Sequence, residues 1–394
     1  MRLKFNNQRA REVFSVLQER WTKKEGVFRG IVLPQEKINL PEGLIERANF
    51  FLFTAITQRG GIVSEDPVKY VQELRKKYPE LFNPQAIVDR WSPHAIEGAL
   101  KEIVIERAWA PARAPKPLSS QLHLFPSSHN DVVGLAPETK KLYKIDEFAQ
   151  SWHRNAVTLA TRFDGSVLNA YQGVRDFEEF FARVDYRRHA HGLHGMRRKI
   201  LALLTIWLQE VNLVPTFRTP IPVDFHALKL LFGTGVVRGV NVPLFTPGPK
   251  HAPGLAGRRV IRITEKITDT IALWSYRFME QNGFSHLAIN PALWVLGREL
   301  CPHEFQNKTR GRGAKTQLVS AQDLKANHRL WPYPYKDPVP HCPLSGLCTK
   351  VAPWSPYYDN GIIALDERVS YPNRSLPGAL LAPQLNVRRK NDRG

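Results

Sequence analysis

At 394 residues and 45.0 kDa, with 43% hydrophobic residues, the chain can bury a core as one large or two medium domains, which excludes a disordered protein. Its 56 Lys and Arg against 36 Asp and Glu leave a net charge of +20, an excess that attracts polyanions and disfavours acidic partners. Nucleic acid is the leading partner class, and a membrane surface is the alternative, although no long basic amphipathic helix with an aromatic apolar face stands out. No stretch approaches the ~20 consecutive apolar residues of a membrane span, and the start MRLKFNNQRAREVF lacks the apolar run of a secretory signal. An intracellular protein is expected. Composition alone leaves open that the basic residues only provide solubility.

In chain order, QRAREVFSVLQERWT places Val13, Phe14, Val16 and Leu17 on one face and predicts an amphipathic helix over about 8–22. GVFRGIVL reads as a short extended piece. LPEGLIERANFFLFTAITQRG predicts a mostly buried helix that starts after Pro41 and stops near Gly60 and Gly61. SEDPVKYVQELRKKYPELF opens with Ser64 as a cap and with Glu65 and Asp66 near the positive end of a helix dipole. Short helices follow at NPQAIVDRW and at SPHAIEGALKEI, where Ser92 and Pro93 suit the cap and the first helical position. The apolar periodicity breaks over about 108–144, a Pro- and Ser-rich surface insertion. DEFAQSWHRNAVTLATRF, DFEEFFARV and GMRRKILALLTIWLQE are the next three helices, the last central to the core. Irregular insertions are expected at about 236–259 and 305–340, and no internal repeat is evident.

The segment GLHGMRRKILALLTIWLQE combines a glycine turn, three basic residues and a long apolar helix. Such a turn presents backbone N–H groups to phosphate, helped by the dipole of the helix that follows. Arg197, Arg198 and Lys199 add charge where a phosphate backbone approaches, without reading sequence. A plain loop with solvated arginines explains the segment equally well on its own. In IPVDFHALKLLFGTGV, Asp224 precedes a second amphipathic helix and suits its cap.

LHGMRRKIL followed by PVDFHALKLL resembles the LPGxGxKTA hairpin and the VDxHVxR motif of the helix-hairpin-helix DNA glycosylases, the group containing endonuclease III and 8-oxoguanine glycosylase. WHRNAVTLATRFDG resembles a preceding helix of that family, and LWVLGRELC with CPLSGLC resembles the end of its iron-sulfur module. The resemblance runs from about Phe50 to Cys348. It implies an all-α, two-lobed helix-hairpin-helix DNA glycosylase fold with irregular insertions. One lobe would comprise residues 1–65 with 215–350, the barrel lobe 66–214 would end in the hairpin, and 351–394 would be an irregular extension. The implied partner is double-stranded DNA without a membrane, the expected state a monomer, and the location cytoplasmic (nucleoid-associated) or otherwise intracellular.

Carried over position by position, Lys199 falls where bifunctional members hold their catalytic lysine and Asp224 where catalytic members hold their aspartate. Gly192, His194, Gly195, Arg197 and Arg198 fall in the DNA-binding hairpin. Gln58 matches a position near the gap left by a flipped base. The chain departs from the pattern in two places: Arg197 replaces the second hairpin glycine, and the interval of 25 residues (224 − 199) is longer, with VNLVPTFRT absorbing the difference.

Cleaving an N-glycosidic bond develops positive charge on the sugar, which an ionised Asp224 would stabilise. Attack by the Lys199 amine gives a Schiff base and then strand cleavage by β-elimination, and needs a neutral amine, which Arg197 and Arg198 would favour by repulsion. If water attacks instead, the enzyme is monofunctional and Lys199 only contacts phosphate. A non-catalytic DNA-binding protein of the same fold is the third reading. The target base must leave its stack to reach a pocket; Trp152, Phe225 and Trp294 suit base stacking, although at helical spacing aromatics belong more often to a core.

Only three cysteines occur, Cys301, Cys342 and Cys348, an odd number near the C-terminus that fits a metal site better than a disulfide framework. Family members with a cluster use C-x6-C-x2-C-x5-C. Here Cys342 and Cys348 match the last pair and Cys301 the first, while Val339 stands where the remaining cysteine is expected. His341 or His303 would complete either an unusual [4Fe-4S] cluster or a Cys3His zinc site. Loss of the metal is the third outcome, and the glycosidic chemistry needs none. His189, His191 and His194 lack the carboxylate or cysteine company of a metal site and are read as phosphate or cap contacts.

Overall fold

The computed structural model describes residues 2–38, 40–58, 65–109, 145–243 and 259–299, together with 304–306, 316–318, 343–344, 347 and 362–365. In chain order its helices are α1 Asn7–Thr22, α2 Leu44–Ile56, α3 Glu65–Lys77, α4 Pro84–Arg90, α5 Pro93–Trp109, α6 Ile145–Arg162, α7 Phe177–Val184, α8 Arg198–Glu210, α9 Phe225–Gly233, α10 Glu265–Asn282 and α11 His286–Glu299. Three strand pairs, all antiparallel, accompany them: β1 Arg2–Phe5 with β2 Val237–Val240, β3 Arg259–Arg262 with β6 Ile362–Leu365, and β4 Glu304–Gln306 with β5 Thr316–Leu318. The described residues are thus mostly helical, as the class expectation has it. None of these helices is long and apolar enough to cross a membrane.

The strands correct three of the irregular segments. β2 and β3 bracket 236–259, β4 and β5 lie in or beside 305–340, and β6 interrupts 351–394. Three or four residues are too few for a period of two to stand out. GVFRGIVL is also not extended at its start: Gly26–Phe28 makes a single 3-10 turn, with Arg29 N–H on the Gly26 carbonyl at 3.1 Å.

Two compact units divide the chain, Leu33–Pro222 on one hand and Met1–Val32 with Val223–Gly394 on the other. The division differs from the expected boundaries at 65 and 214 because α2 belongs with the contiguous unit. From Ala48 to Ile56 every α2 residue is buried, and its aromatics meet rings of that unit. Phe53 stacks on Trp152 of α6 at 4.7 Å, Phe50 on Phe82 at 5.3 Å, and Phe51 lies 5.9 Å from Trp207 of α8. Asn49, inside this core, donates to Gly165 O at 2.8 Å and accepts from Val167 N–H at 3.1 Å, so the turn after α6 is tied to α2.

Local chemistry sets where these helices begin. Asn83 Oδ1 accepts from Gln85 and Ala86 N–H at 3.0 and 3.2 Å, Ser92 Oγ from Ala95 N–H at 3.2 Å, and Asp176 Oδ1 from Glu179 N–H at 2.9 Å. Each satisfies a donor that a helix end otherwise leaves unpaired. Ser64 lies outside the described residues.

In the second unit α1 buries Ala10, Val13, Phe14, Leu17 and Trp21, one helical stripe, and packs on α11. Phe14 meets Phe278 and Phe284 edge-on at 5.5 and 5.7 Å, and Phe5 of β1 stacks on Trp274 of α10 at 4.7 Å. α9 approaches α11 so closely that a Cβ on Gly297 would fall 2.4 Å from the His226 carbonyl oxygen. Lys229, fully buried, donates its ammonium to the Gly297 carbonyl at that crossing.

Candidate active site

α7, the loop 185–197 and α8 follow one another as helix, glycine-containing turn and helix within the contiguous unit. The loop leaves α7 through Asp185, which makes a parallel bridge with Leu193, while Leu193 N–H returns to the Val184 carbonyl at 2.8 Å. That return forces a glycine at 192: a Cβ there would lie 2.4 Å from both Cα and N of Tyr186 and 2.7 Å from Val184 O. Gly195 turns the hairpin with φ +73°, and Leu193 and Met196 on either side of it are fully buried.

One face of α6 fixes the hairpin from outside. Ser151, Arg154, Asn155, Thr158 and Arg162 recur at helical spacing and reach successive loop groups. Asn155 Nδ2 donates to His194 O at 3.1 Å, Thr158 Oγ1 to Gly192 O at 3.2 Å, and Arg162 Nη1 to His191 O at 3.3 Å. Trans peptides set each N–H opposite its C=O, so drawing the His194 carbonyl toward α6 turns the Gly195 N–H away from α6. The His194 ring is held by Arg154 Nη1 at 2.9 Å on Nε2 and by Ser151 Oγ at 3.3 Å on Nδ1. Guanidinium only donates, so Nε2 accepts and the Nδ1 proton goes to Ser151.

The three basic residues after the turn separate in role. Arg197 is exposed at the N-cap position of α8 and supplies no side-chain cap. Arg198, expected at the DNA backbone, is instead turned inward and only 7% exposed. It pairs with Glu178 of α7, and its guanidinium sits 4.1 Å from the Phe181 ring centroid. The cause is spacing: in the first turn of α8 it faces the acidic first turn of α7, and Glu178 takes up the charge expected to act on Lys199. Lys199, second residue of α8, is half-buried and makes no side-chain hydrogen bond or ion pair among the described residues.

Asp224 caps α9, its Oδ1 accepting from Ala227 N–H at 2.8 Å. A helix N-terminus favours a carboxylate, through both the dipole and the hydrogen bond. The approach to it is anchored at its start: Gln209 of α8, buried, donates to Phe217 O at 2.8 Å and Pro215 O at 3.3 Å. VNLVPTFRT, the stretch that lengthens the interval from Lys199, is therefore a pinned loop. Asp224 belongs to one unit and Lys199 to the other.

Gln58 follows the α2 cap residue Thr57 and is buried, its N–H on the Ala55 carbonyl at 3.0 Å. Trp152 is core, stacked on Phe53 and met edge-on by Phe82, with its Nε1–H on Leu81 O at 2.8 Å. Trp294 is half-buried beside His226, at 6.5 Å between ring centroids. Cys301, Cys342, Cys348, His303 and His341 lie outside the described residues, as does the side chain of Phe225. Among the described residues no group of three or more His, Cys, Asp or Glu side chains is arranged to hold a metal ion. Sequence reasoning did not reach the α6 ladder; its signal was the polar set Ser151, Asn155 and Thr158 within an otherwise apolar helix face.

No model of a known protein family matches the chain, and no curated protein matches it.

Proposed function

We propose that the chain is a DNA glycosylase of the helix-hairpin-helix type with associated lyase activity, excising a damaged or modified base from duplex DNA. The observation that carries the reading is the hairpin. A glycine at 192 required by contact with backbone, a left-handed Gly195 and buried Leu193 and Met196 set Lys199 half-buried in the first turn of α8. An Asp224 cap at the start of the next helix accompanies it. The basic composition supplies attraction to the phosphate backbone.

In this reading the Lys199 amine adds to C1′ as the N-glycosidic bond breaks and the base leaves with that bond's electron pair, taking up a proton. Asp224 stabilises the cationic sugar in the transition state. Ring opening gives a Lys199 imine, and loss of a C2′ proton expels the 3′ phosphate by β-elimination. A metal on Cys301, Cys342, Cys348 and His341 is proposed from donor chemistry alone, since three thiolates and one imidazole suit zinc and a cluster both, and no step passes through it. Elemental analysis of anaerobically purified protein tests it, and finding neither iron nor zinc removes it.

The test is borohydride trapping on duplex oligonucleotides that carry abasic sites or a panel of altered bases. A covalent complex present in wild type and lost in Lys199→Gln is expected, with base release reduced about 10²–10³-fold in Asp224→Asn. Base release without trapping would move the assignment to water as nucleophile. Neither activity across the panel would leave a DNA-binding protein of the same fold.

A further inference from the structure

The proposed glycosylase reading uses the hairpin tip but leaves unexplained a band of arginines beside it. Loop residues Arg187, Arg188, His189 and His191 are exposed, as are Arg154 and Arg162 on α6. Their contacts gather them around one loop: Arg162 reaches His191 O, Arg154 reaches His194, and Arg187 and Arg188 direct their Nε atoms to Asp185 at 3.2 and 3.7 Å. Asp185 is buried, and no other acidic residue lies in 186–209, nor in 148–163, which takes in α6 from Phe148 onward. Within these two stretches of sequence the exposed Arg154, Arg162, Arg187 and Arg188 stand against the one carboxylate of Asp185, an excess of positive charge; Asp164, just beyond α6, is the nearest exposed acid in sequence.

We infer that this patch is a second phosphodiester-binding surface, which holds the duplex flank next to the hairpin and extends the contact beyond the site of chemistry. The inference rests on the reading of the chain as a duplex-DNA binder. Arg154 and Arg162 are eight residues apart on one helix face, which separates them by about 12 Å along its axis. A DNA strand carries a charge about every 3.4 Å along the duplex, so this span covers roughly three to four phosphates. The patch is also preorganised. Thr158 and Arg162 fix the loop carbonyls, and Asp185 holds Arg187 by a hydrogen bond at 3.2 Å with Arg188 paired at 3.7 Å, so less order must be imposed on binding. Such contacts are independent of sequence and dependent on salt.

The experiment is fluorescence anisotropy of an undamaged 24-base-pair duplex over a salt series. The variants are Arg162→Gln with Arg188→Gln, the matching Lys pair, and Lys76→Gln on α3 as a remote charge control. The Gln pair is expected to lower the magnitude of the slope of log K against log salt by about 2, at ~0.9 per phosphate contact. The Lys pair and Lys76→Gln keep the wild-type slope. An unchanged slope in the Gln pair overturns the inference, as does an equal loss in the Lys pair, which would mark a structural effect, or in Lys76→Gln, which would mark a diffuse field. Wild type that binds steeply without excising any base would remove the glycosylase reading and leave the surface standing. Wild type that does not bind the duplex removes both.

Discussion

Gly192→Ala is the sharpest perturbation of the hairpin, because the atoms its Cβ would meet cannot swing aside. All three are backbone: Tyr186 Cα and N at 2.4 Å, and Val184 O at 2.7 Å. Relief requires about 1 Å of main-chain movement. The loop is held against such movement by Thr158 on Gly192 O at 3.2 Å and by Leu193 N–H on Val184 O at 2.8 Å. Overpacking of this kind costs about 1–3 kcal/mol, and the absence of any flexible neighbour puts this site at the upper end. A unit of this size loses roughly 2–4 °C of melting temperature per kcal/mol, so a drop near 6–12 °C is expected by circular dichroism, with weakened DNA binding. Gly98→Ala is the paired control. It sits exposed within α5 with nothing within 4 Å of its Cβ, and gains up to ~1 kcal/mol of helix propensity. A Gly192→Ala protein that melts within about 1 °C of wild type would refute the argument from close approach.

Asp224→Ala should destabilise by about 1 kcal/mol through loss of the α9 cap, whereas Asp224→Asn keeps the cap and loses only the charge; denaturant melts of both separate structure from chemistry. Arg198→Ala removes the Glu178 pair and the contact with Phe181, and should cost about 1–3 kcal/mol, only partly restored by Lys, which cannot stack a planar group. Burial pushes the Tyr171 phenol above its ordinary 10.0, against a weaker opposing hydrogen bond to Thr205. A folded value that is raised gives stability that is complete below about pH 10 and lost as pH rises through it, so absorbance at 295 nm should show Tyr171 ionising only with unfolding, in a step absent from Tyr171→Phe. Burial also holds His153 below its ordinary 6.5, so its contribution is present above that pH and fades as pH falls; His153→Gln should flatten the acid limb of a stability–pH profile.

Helix positions were legible because periodicity and caps act locally. Asn83, Ser92, Asp176 and Asp224 each begin a helix at or beside the position their residue type implies. What lay beyond reach depended on partners far along the chain. β2 gives no sign of itself until β1 pairs with it, and α2 reads equally well with either unit until Phe53 meets Trp152. At the hairpin, sequence placed Gly192, His194 and Gly195 in a turn but not the reason for each. It put Arg197 and Arg198 together at the phosphate backbone, whereas the start of a helix points consecutive side chains in different directions. The inward turn of Arg198 is decided by Glu178, 20 residues earlier.

The pairing of β1 with β2, and of α1 with α11, has a consequence for how the chain is made. Unit Leu33–Pro222 is continuous, so all its contacts are available once residue 222 has left the ribosome. α1 precedes that unit in the chain, yet its apolar stripe Val13, Phe14, Leu17 and Trp21 finds α11 only after residue 299 is synthesised. At roughly 5–20 residues per second, α1 waits on the order of 15 s to a minute with that stripe uncovered, while the later unit to begin is the first that can finish folding. Nascent α1 therefore offers a chaperone an uncovered apolar stripe throughout that interval.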